Sequence, residues 1–480
     1  MVMKFSEIEL TNPYLTLPSL CYDRVKPTPL KEPFLIHANE EVAKDLNIDL
    51  DVLKSEDFVK FVNGDLELKG SDTFAMCYAG HQFGVFVPRL GDGRAINIGT
   101  VNKLQLQLKG SGETLYSRNG DGRAVLRSSI REYLMSEAMH GLGIETTRAL
   151  AIIGSKQEVI RENWEKASIV LRVSPSWIRF GTFEYFAHSN NIEELKALTD
   201  YAIDECYPHL ALEEDKYALF FMEVLGKTAL LMASWQSVGF NHGVMNTDNM
   251  SILGLTIDYG PYAFLDNYDI SNICNHTDRN GRYRFGNQPS IGEWNLHALI
   301  LALSPLVKKE RLENAMKHYG RLYSEQFLYL MGEKFGLDNA TDDDLELIKH
   351  ALGTLQALNV DYTLFFRTLS RYDGDREAIL KLGLLHNPMI DWLDSYDKRL
   401  EQNSTSMEER HSKMLQVNPK FVLKNYMLQE AIDMADRGDF SVVSKLFEIA
   451  QKPFAEHDGF ERWALATPDA FVNQKLSCSS

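Results

Sequence analysis

The strongest constraint on the fold is a change of texture at Pro175 in this 480-residue chain. From Phe74 to Val173 the pattern is strand-rich, and beyond Pro175 long helical patterns run to about residue 452. Lys103 to Lys109 (KLQLQLK) alternates strictly, as a half-buried strand does. Gly84 to Leu90, the turn Gly91-Asp92-Gly93 and Arg94 to Ile98 read as a hairpin. Arg123 to Gly141 reads as one helix, with Asp121 as its N-cap and Gly141 or Gly143 as its stop. Thr147 to Ile153 and Ile169 to Val173 read as further strands, Ile192 to Tyr207 and Lys216 to Ser237 as helices. A Gly/Asn-rich loop with two short strands interrupts the helices between residues 240 and 258. The expected architecture is α+β. It has an N-terminal arm (1–72), a β-rich lobe with one helix (73–174), a helical lobe with the catalytic and metal loop (175–400) and a helical C-terminal extension (401–480).

Composition narrows the function. Sixty-seven acidic residues against fifty basic ones give a net charge of −17. That argues against a broad nucleic-acid surface, because phosphate binding is driven by clustered cations. A local cationic pocket for a small phosphate ligand stays open. The five cysteines are too scattered for a disulfide framework, and no CxxC occurs. Lys4, Glu7 and Glu9 stand where a secretory signal needs an apolar core. No apolar run approaches the about eighteen residues of a membrane span; Ala298 to Leu303, for example, is closed by Pro305. The expectation is a cytoplasmic protein without membrane or nucleic-acid partners.

Several short motifs lead nowhere. Gly226-Lys227-Thr228 lacks the first glycine of a P-loop, since Phe221 stands there, and it sits within a helix. There is no HExxH pair and no GxSxG elbow. GDGRA occurs at Gly91 and again at Gly120, and alone each is as readily a turn or a helix cap as a phosphate loop.

The order of parts says more. A glycine-bearing turn precedes a strand ending in Lys109, then comes a helix bearing Glu132, then Arg172 and Arg179, then Asn241 to Gly260 (NHGVMNTDNMSILGLTIDYG). This is the parts list of a protein-kinase-like nucleotide site. Glu132 would orient the Lys109 ammonium toward phosphate. Asn249 and Asp258 offer hard oxygens suited to Mg²⁺ or Mn²⁺, flanking a short apolar strand pair from Met250 to Ile257. Arg172 and Arg179, seven apart across Pro175, would clamp a terminal phosphate. The kinase base is missing: seven residues before Asn249 stands His242, but Gly243 and Val244 follow it. Either the site is catalytically dead or Asp248 takes over as base; both metal ligands are retained, which favours the second.

CYAGHQFGVFVPRLGDGRA, LQLKGSGETLYSRNGDGRAVLRSSIREYL, LRVSPSWIRFGTFEYF and NHGVMNTDNMSILGLTIDYGP together resemble the selenoprotein O (YdiU) family over about residues 74–290. The resemblance implies a kinase-like fold that binds ATP in reversed orientation. It implies transfer of AMP, or of UMP from UTP, to Ser, Thr or Tyr hydroxyls of proteins, with pyrophosphate released. By resemblance, Gly91, Gly93, Arg94, Lys109, Asp121, Gly122, Arg172 and Arg179 are nucleotide contacts. Glu132 is the partner of Lys109, Asn249 and Asp258 are the metal ligands, Asp258 also touches nucleotide, and Asp248 is the proton acceptor. Cys478 stands where some members carry selenocysteine; it either pairs with Cys274 to tether the tail or the two remain independent thiols. Two rival readings use the same site: an atypical kinase transferring the γ-phosphate, and an ATP-binding pseudokinase scaffold.

Overall fold

The computed structural model describes residues 3–477. In chain order the first strands are β1 (Tyr22–Arg24), β2 (Phe34–Ala38), β3 (Phe74–Met76), β4 (Gly80–Gln82), β5 (Val85–Val87), β6 (Ala95–Val101), β7 (Leu104–Lys109), β8 (Ala124–Val125), β9 (Arg148–Ile160) and β10 (Trp164–Ser174). All but β4 and β5 form one eight-stranded sheet, ordered β1-β3-β6-β7-β10-β9-β2 with β8 on β10. Its pairings are antiparallel. The chain is thus α+β, with a sheet lobe followed by helices.

Helices α1 (Glu40–Asp45) and α2 (Glu56–Asn63) cover one face of this sheet. Asn39 and Ser55 cap their N-termini by accepting the free first-turn N–H groups. Residues 1–72, expected as an arm laid on the body, supply both edge strands, β1 and β2. The other face carries α3 (Leu126–Gly141). It starts later than expected and Asp121 does not cap it, because Ala124 and Val125 are drawn into pairing with Ser168 and Ala167 of β10.

The expected hairpin also pairs differently. Val85–Val87 turns back onto Gly80–Gln82, and β6 pairs with β7 and β3 instead. Phe83 and Gly84 at the tip both have positive φ, +51° and +83°. That is the backbone of a two-residue turn whose twist matches paired strands. Phe83 is held in this uncommon region by packing against the tilted Tyr283 ring at 5.0 Å and by its N–H bond to the Tyr283 hydroxyl at 2.9 Å.

Past the linker 175–179 come α4 (Phe180–His188), α5 (Ile192–Cys206), α6 (Lys216–Val238) and α7 (Gln288–Leu303). Strands β11 (Phe240–Asn241) and β12 (Ala263–Phe264) form a short ribbon after α6. The strand pair expected between Met250 and Ile257 is not formed: Ser251 bridges to Arg179 and Thr256 to Thr146, so the segment is sewn onto its surroundings rather than onto itself. By length and composition α6 qualifies as a membrane span, yet 56% of its most apolar window is buried inside the protein. The helices Asn425–Asp436 and Ser441–Gln451 close against α3. Tyr133 stacks on Phe447 at 5.3 Å, and a Cβ on Gly141 would lie 2.0 Å from the Ala450 carbonyl oxygen.

Lys334 of the helical lobe is buried against apolar side chains. Lys334 is 4% exposed, lies 4.3 Å over the Phe366 ring and has no carboxylate partner among the described residues. Burial pulls its ammonium down to about 7. The unfolded chain therefore binds a proton that the folded one releases between that value and the ordinary lysine range, and stability rises with pH across this window. Chemical denaturation of wild type and Lys334→Met at pH 7 to 10 is expected to show the variant lacking a slope of up to about 1.4 kcal/mol per pH unit.

Candidate functional site

Sheet register places the first charges. Gln107 pairs with Arg172 across β7 and β10, and Lys109 lies two residues on, so all three side chains share the face that looks toward α3. Lys109 Nζ donates to Glu132 Oε2 at 2.5 Å and lies 3.5 Å from Asp258 Oδ1. Arg172 donates to Glu132 Oε1 at 3.0 Å and to Asp258 Oδ1 at 2.5 Å, and also to Gln107. Arg179, at the start of α4, donates to Asp258 Oδ2 at 2.6 Å and to the Asp248 carbonyl at 2.9 Å. The arginine planes are backed by aromatic rings: Arg172 lies 4.5 Å over Trp177 and Arg179 4.6 Å over Tyr78.

These contacts set the protonation states. Burial opposes the charge on Asp258, but Arg179, Arg172 and Lys109 outweigh it and hold the carboxyl well below its usual range. Burial pulls the Lys109 ammonium down, with Glu132 opposing. Asp248 is different: burial pushes it up to about 7, and Arg179 only partly offsets that. Its Oδ1 is buried with no hydrogen-bond partner among the described residues.

Asp248 and Asn249 sit on the short 3-10 turn Thr247–Asn249. The Asn249 side-chain NH₂ donates to the Val244 carbonyl at 2.9 Å, which leaves its amide oxygen as the available group. His242 is buried and stacks on Trp235; its Nε2 donates to the Ile257 carbonyl at 3.0 Å. That bond fixes the peptide before Asp258, whose φ is +60°. Val244 stands where kinases place their base; Gly243 before it takes a positive φ, and a Cβ there would meet the Pro261 carbonyl oxygen and Cys274 Sγ, each at 2.6 Å.

The glycine turns approach from the sheet lobe. A Cβ on Gly91 would enter the Tyr116 ring at 2.2 Å, and one on Gly122 would overlap the Gly112 backbone at 2.0 Å. Asp92 between the first pair is buried and accepts from the Met76 N–H, Asn97 and Gln107, pinning the turn to the sheet. Asp121 in the second pair accepts from the Arg123 N–H and, through both oxygens, from Arg161 at 2.9 Å.

Gly91, Gly93, Arg94, Lys109, Asp121, Gly122, Arg172, Asp248, Asn249 and Asp258 thus line one cleft of about 840 Å³, with Glu132 and Arg179 behind its wall. Sequence reasoning did not single out Gln107 as a partner of Arg172, nor Arg118 and Gln82 as cleft residues. The strict alternation of KLQLQLK does place Gln107 and Lys109 on one face, so the first of these was within reach. Arg94 and Arg118 pair with no carboxylate among the described residues and line the cleft, which leaves them free for phosphate oxygens. The donor set suits a hard divalent cation: an amide oxygen with its NH₂ already tied and an ionised carboxylate. Cys478 lies outside the described residues; two positions earlier, Leu476 exchanges backbone hydrogen bonds with Cys274 and His276 at 2.9 and 2.8 Å.

Comparison with known proteins shows the family. The family model described as protein adenylyltransferase SelO matches residues 4–451. The chain belongs to the SelO family. It is 45% identical to the protein nucleotidyltransferase YdiU of Myxococcus xanthus, over 99% of this chain and 99% of that protein. The YdiU of Herminiimonas arsenicoxydans is 44% identical, over 100% of this chain and 98% of its own. In a SelO-family chain with this network, removing one partner of a buried ion cluster leaves an uncompensated charge. Glu132→Ala is expected to cost about 3 kcal/mol of stability by chemical denaturation and to weaken ATP binding at least tenfold by calorimetry, since Lys109 and Arg172 then lose one of the two carboxylates that orient them.

Proposed function

We propose that this chain is a protein nucleotidyltransferase that moves AMP from ATP, or UMP from UTP, onto Ser, Thr or Tyr hydroxyls of proteins and releases pyrophosphate. The two lobes would form a kinase-like site, with the linker 175–179 as the hinge. The observation that carries the reading is the single charge network joining Lys109, Glu132, Arg172, Arg179 and Asp258, with Asp248 beside it.

Asn249 and Asp258 would hold Mg²⁺ or Mn²⁺, which supplies charge neutralisation at the phosphates when bound. Lys109, fixed by Glu132, would hold phosphate oxygens. A kinase seats a flat, apolar base beside its hinge, whereas here the residues next to the linker include two buried guanidiniums, Arg172 and Arg179, stacked on Trp177 and Tyr78. Such a surface suits phosphate and repels nothing anionic, which supports a nucleotide bound with its terminal phosphates inward and its α-phosphate toward Asp248. Arg172 and Arg179 would then stabilise the charge that develops on the pyrophosphate as the α-phosphorus–oxygen bond breaks. Asp248 would accept the proton of the attacking hydroxyl, which forms the new phosphorus–oxygen bond. A carboxylate pushed up to about 7 is a stronger base than an ordinary one and suits that task near neutral pH.

The test uses purified chain, a mixed protein acceptor, Mg²⁺ or Mn²⁺, and ATP labelled at either the α or the γ position. Wild type is expected to transfer the α label and not the γ label, and Asp258→Ala to lose at least 100-fold. Transfer of the γ label instead makes the chain a kinase, and equal labelling by wild type and Asp258→Ala makes it a scaffold.

A further inference from the structure

The run Gly80-His81-Gln82-Phe83-Gly84 has no part in nucleotide binding as described above, yet it is stapled to the loop that carries Asp248. The His81 N–H donates to Thr247 Oγ1 at 2.7 Å. The Phe83 N–H donates to Asn246 Oδ1 at 3.2 Å and to the Tyr283 hydroxyl, which itself donates to the same Asn246 oxygen at 2.8 Å. His81 Nδ1 lies 2.8 Å from Glu184 Oε2, a buried carboxylate of α4, so the ring is locked at the base of the hairpin. A Cβ on Gly80 would stand 2.7 Å from Asp248 Oδ1 and 3.0 Å from Asp248 Cβ. Gly80 therefore lets the hairpin close directly onto the carboxylate.

That closure separates the two carboxylate oxygens. Oδ1 is shut against Gly80, buried and without a partner among the described residues. Oδ2 receives the Gln82 side-chain NH₂ at 3.4 Å, and Gln82 and Phe83 line the same cleft as Asp248. An amide is suited to this place: it donates to a carboxylate without carrying a charge that would compete with phosphate or metal.

We propose that Gln82 is a positioning residue of the transfer reaction, its side-chain NH₂ holding Asp248 Oδ2 toward the incoming hydroxyl while β4–β5 forms the acceptor-side wall of the cleft. The inference rests on the reading of Asp248 as proton acceptor. The hydroxyl proton passes to Oδ2, and Gln82 fixes the direction from which that oxygen receives it. A carboxylate left to swing by about 1 Å loses on the order of 100-fold in rate through misalignment alone.

The experiment compares wild type, Gln82→Ala, Gln82→Glu and Asp248→Asn in α-label transfer at saturating ATP and Mn²⁺. Calorimetric ATP affinity and thermal midpoint are recorded for each. Gln82→Ala is expected to lower turnover ten- to 100-fold with ATP affinity within twofold of wild type. Gln82→Glu keeps the shape of the side chain but removes the donor and sets a second carboxylate against Asp248, so it is expected to lose at least as much. A space-filling role would leave Gln82→Glu near wild type, and that result overturns the proposal even if Gln82→Ala fails to fold. If Asp248→Asn is inactive while both Gln82 variants turn over normally, the positioning role alone is wrong. If Asp248→Asn retains full turnover, the proton-acceptor reading fails and this inference falls with it.

Discussion

One carboxylate, that of Asp258, organises the centre of this protein. It accepts from Arg172 and Arg179 and lies beside Lys109, and among the described residues these three cations are shared with only one further carboxylate, Glu132. The floor of the cleft is therefore short of negative charge, in a chain whose net charge is −17. Away from bulk water such an imbalance is felt strongly, and an anionic ligand completes it. The same deficit holds Asp258 ionised, as a hard cation would require.

The network spans both halves of the chain, which ties the fold to the site. Lys109 and Arg172 come from adjacent strands, Glu132 from α3, and Arg179 and Asp258 from beyond the linker. Distant segments then hold these elements still. The helices Asn425–Asp436 and Ser441–Gln451 pack on α3 and bring Asn425 to Arg131, the neighbour of Glu132, at 3.1 Å. Segments 22–24 and 34–38 close the sheet edges. Residues far from the cleft in sequence therefore determine how firmly Glu132 faces Lys109.

The two carboxylates of the cleft illustrate how environment sets protonation. Asp258 and Asp248 lie ten residues apart in sequence and both contact Arg179, one through its side chain and one through its carbonyl. Cations surround the first, so it stays charged; burial dominates the second, so it holds protons more readily. The β4–β5 hairpin contributes to that burial, because Gly80 closes over Oδ1. A glycine-bearing hairpin thereby acts on that carboxylate through packing.

Much of this was legible in the residues. Strict alternation in KLQLQLK determined the strand and the face of Lys109, and the helical pattern after Arg123 placed Glu132 one element later; both follow from local periodicity. The spacing of His242, Asn249 and Asp258 marked the loop that the folded chain brings opposite Lys109. Pairing partners were a different matter. Only the tertiary structure decided that Val85–Val87 folds back on Gly80–Gln82, that Ala124–Val125 joins the sheet in place of an Asp121 cap, and that residues 250–257 attach to Thr146 and Arg179. A strand's pattern specifies which face is buried but not which neighbour completes its hydrogen bonds, and that choice depends on contacts such as Phe83 with Tyr283. The hold of Gln82 on Asp248 is of the same kind: 166 residues separate the two, and no local pattern encodes a meeting that only the packed chain creates.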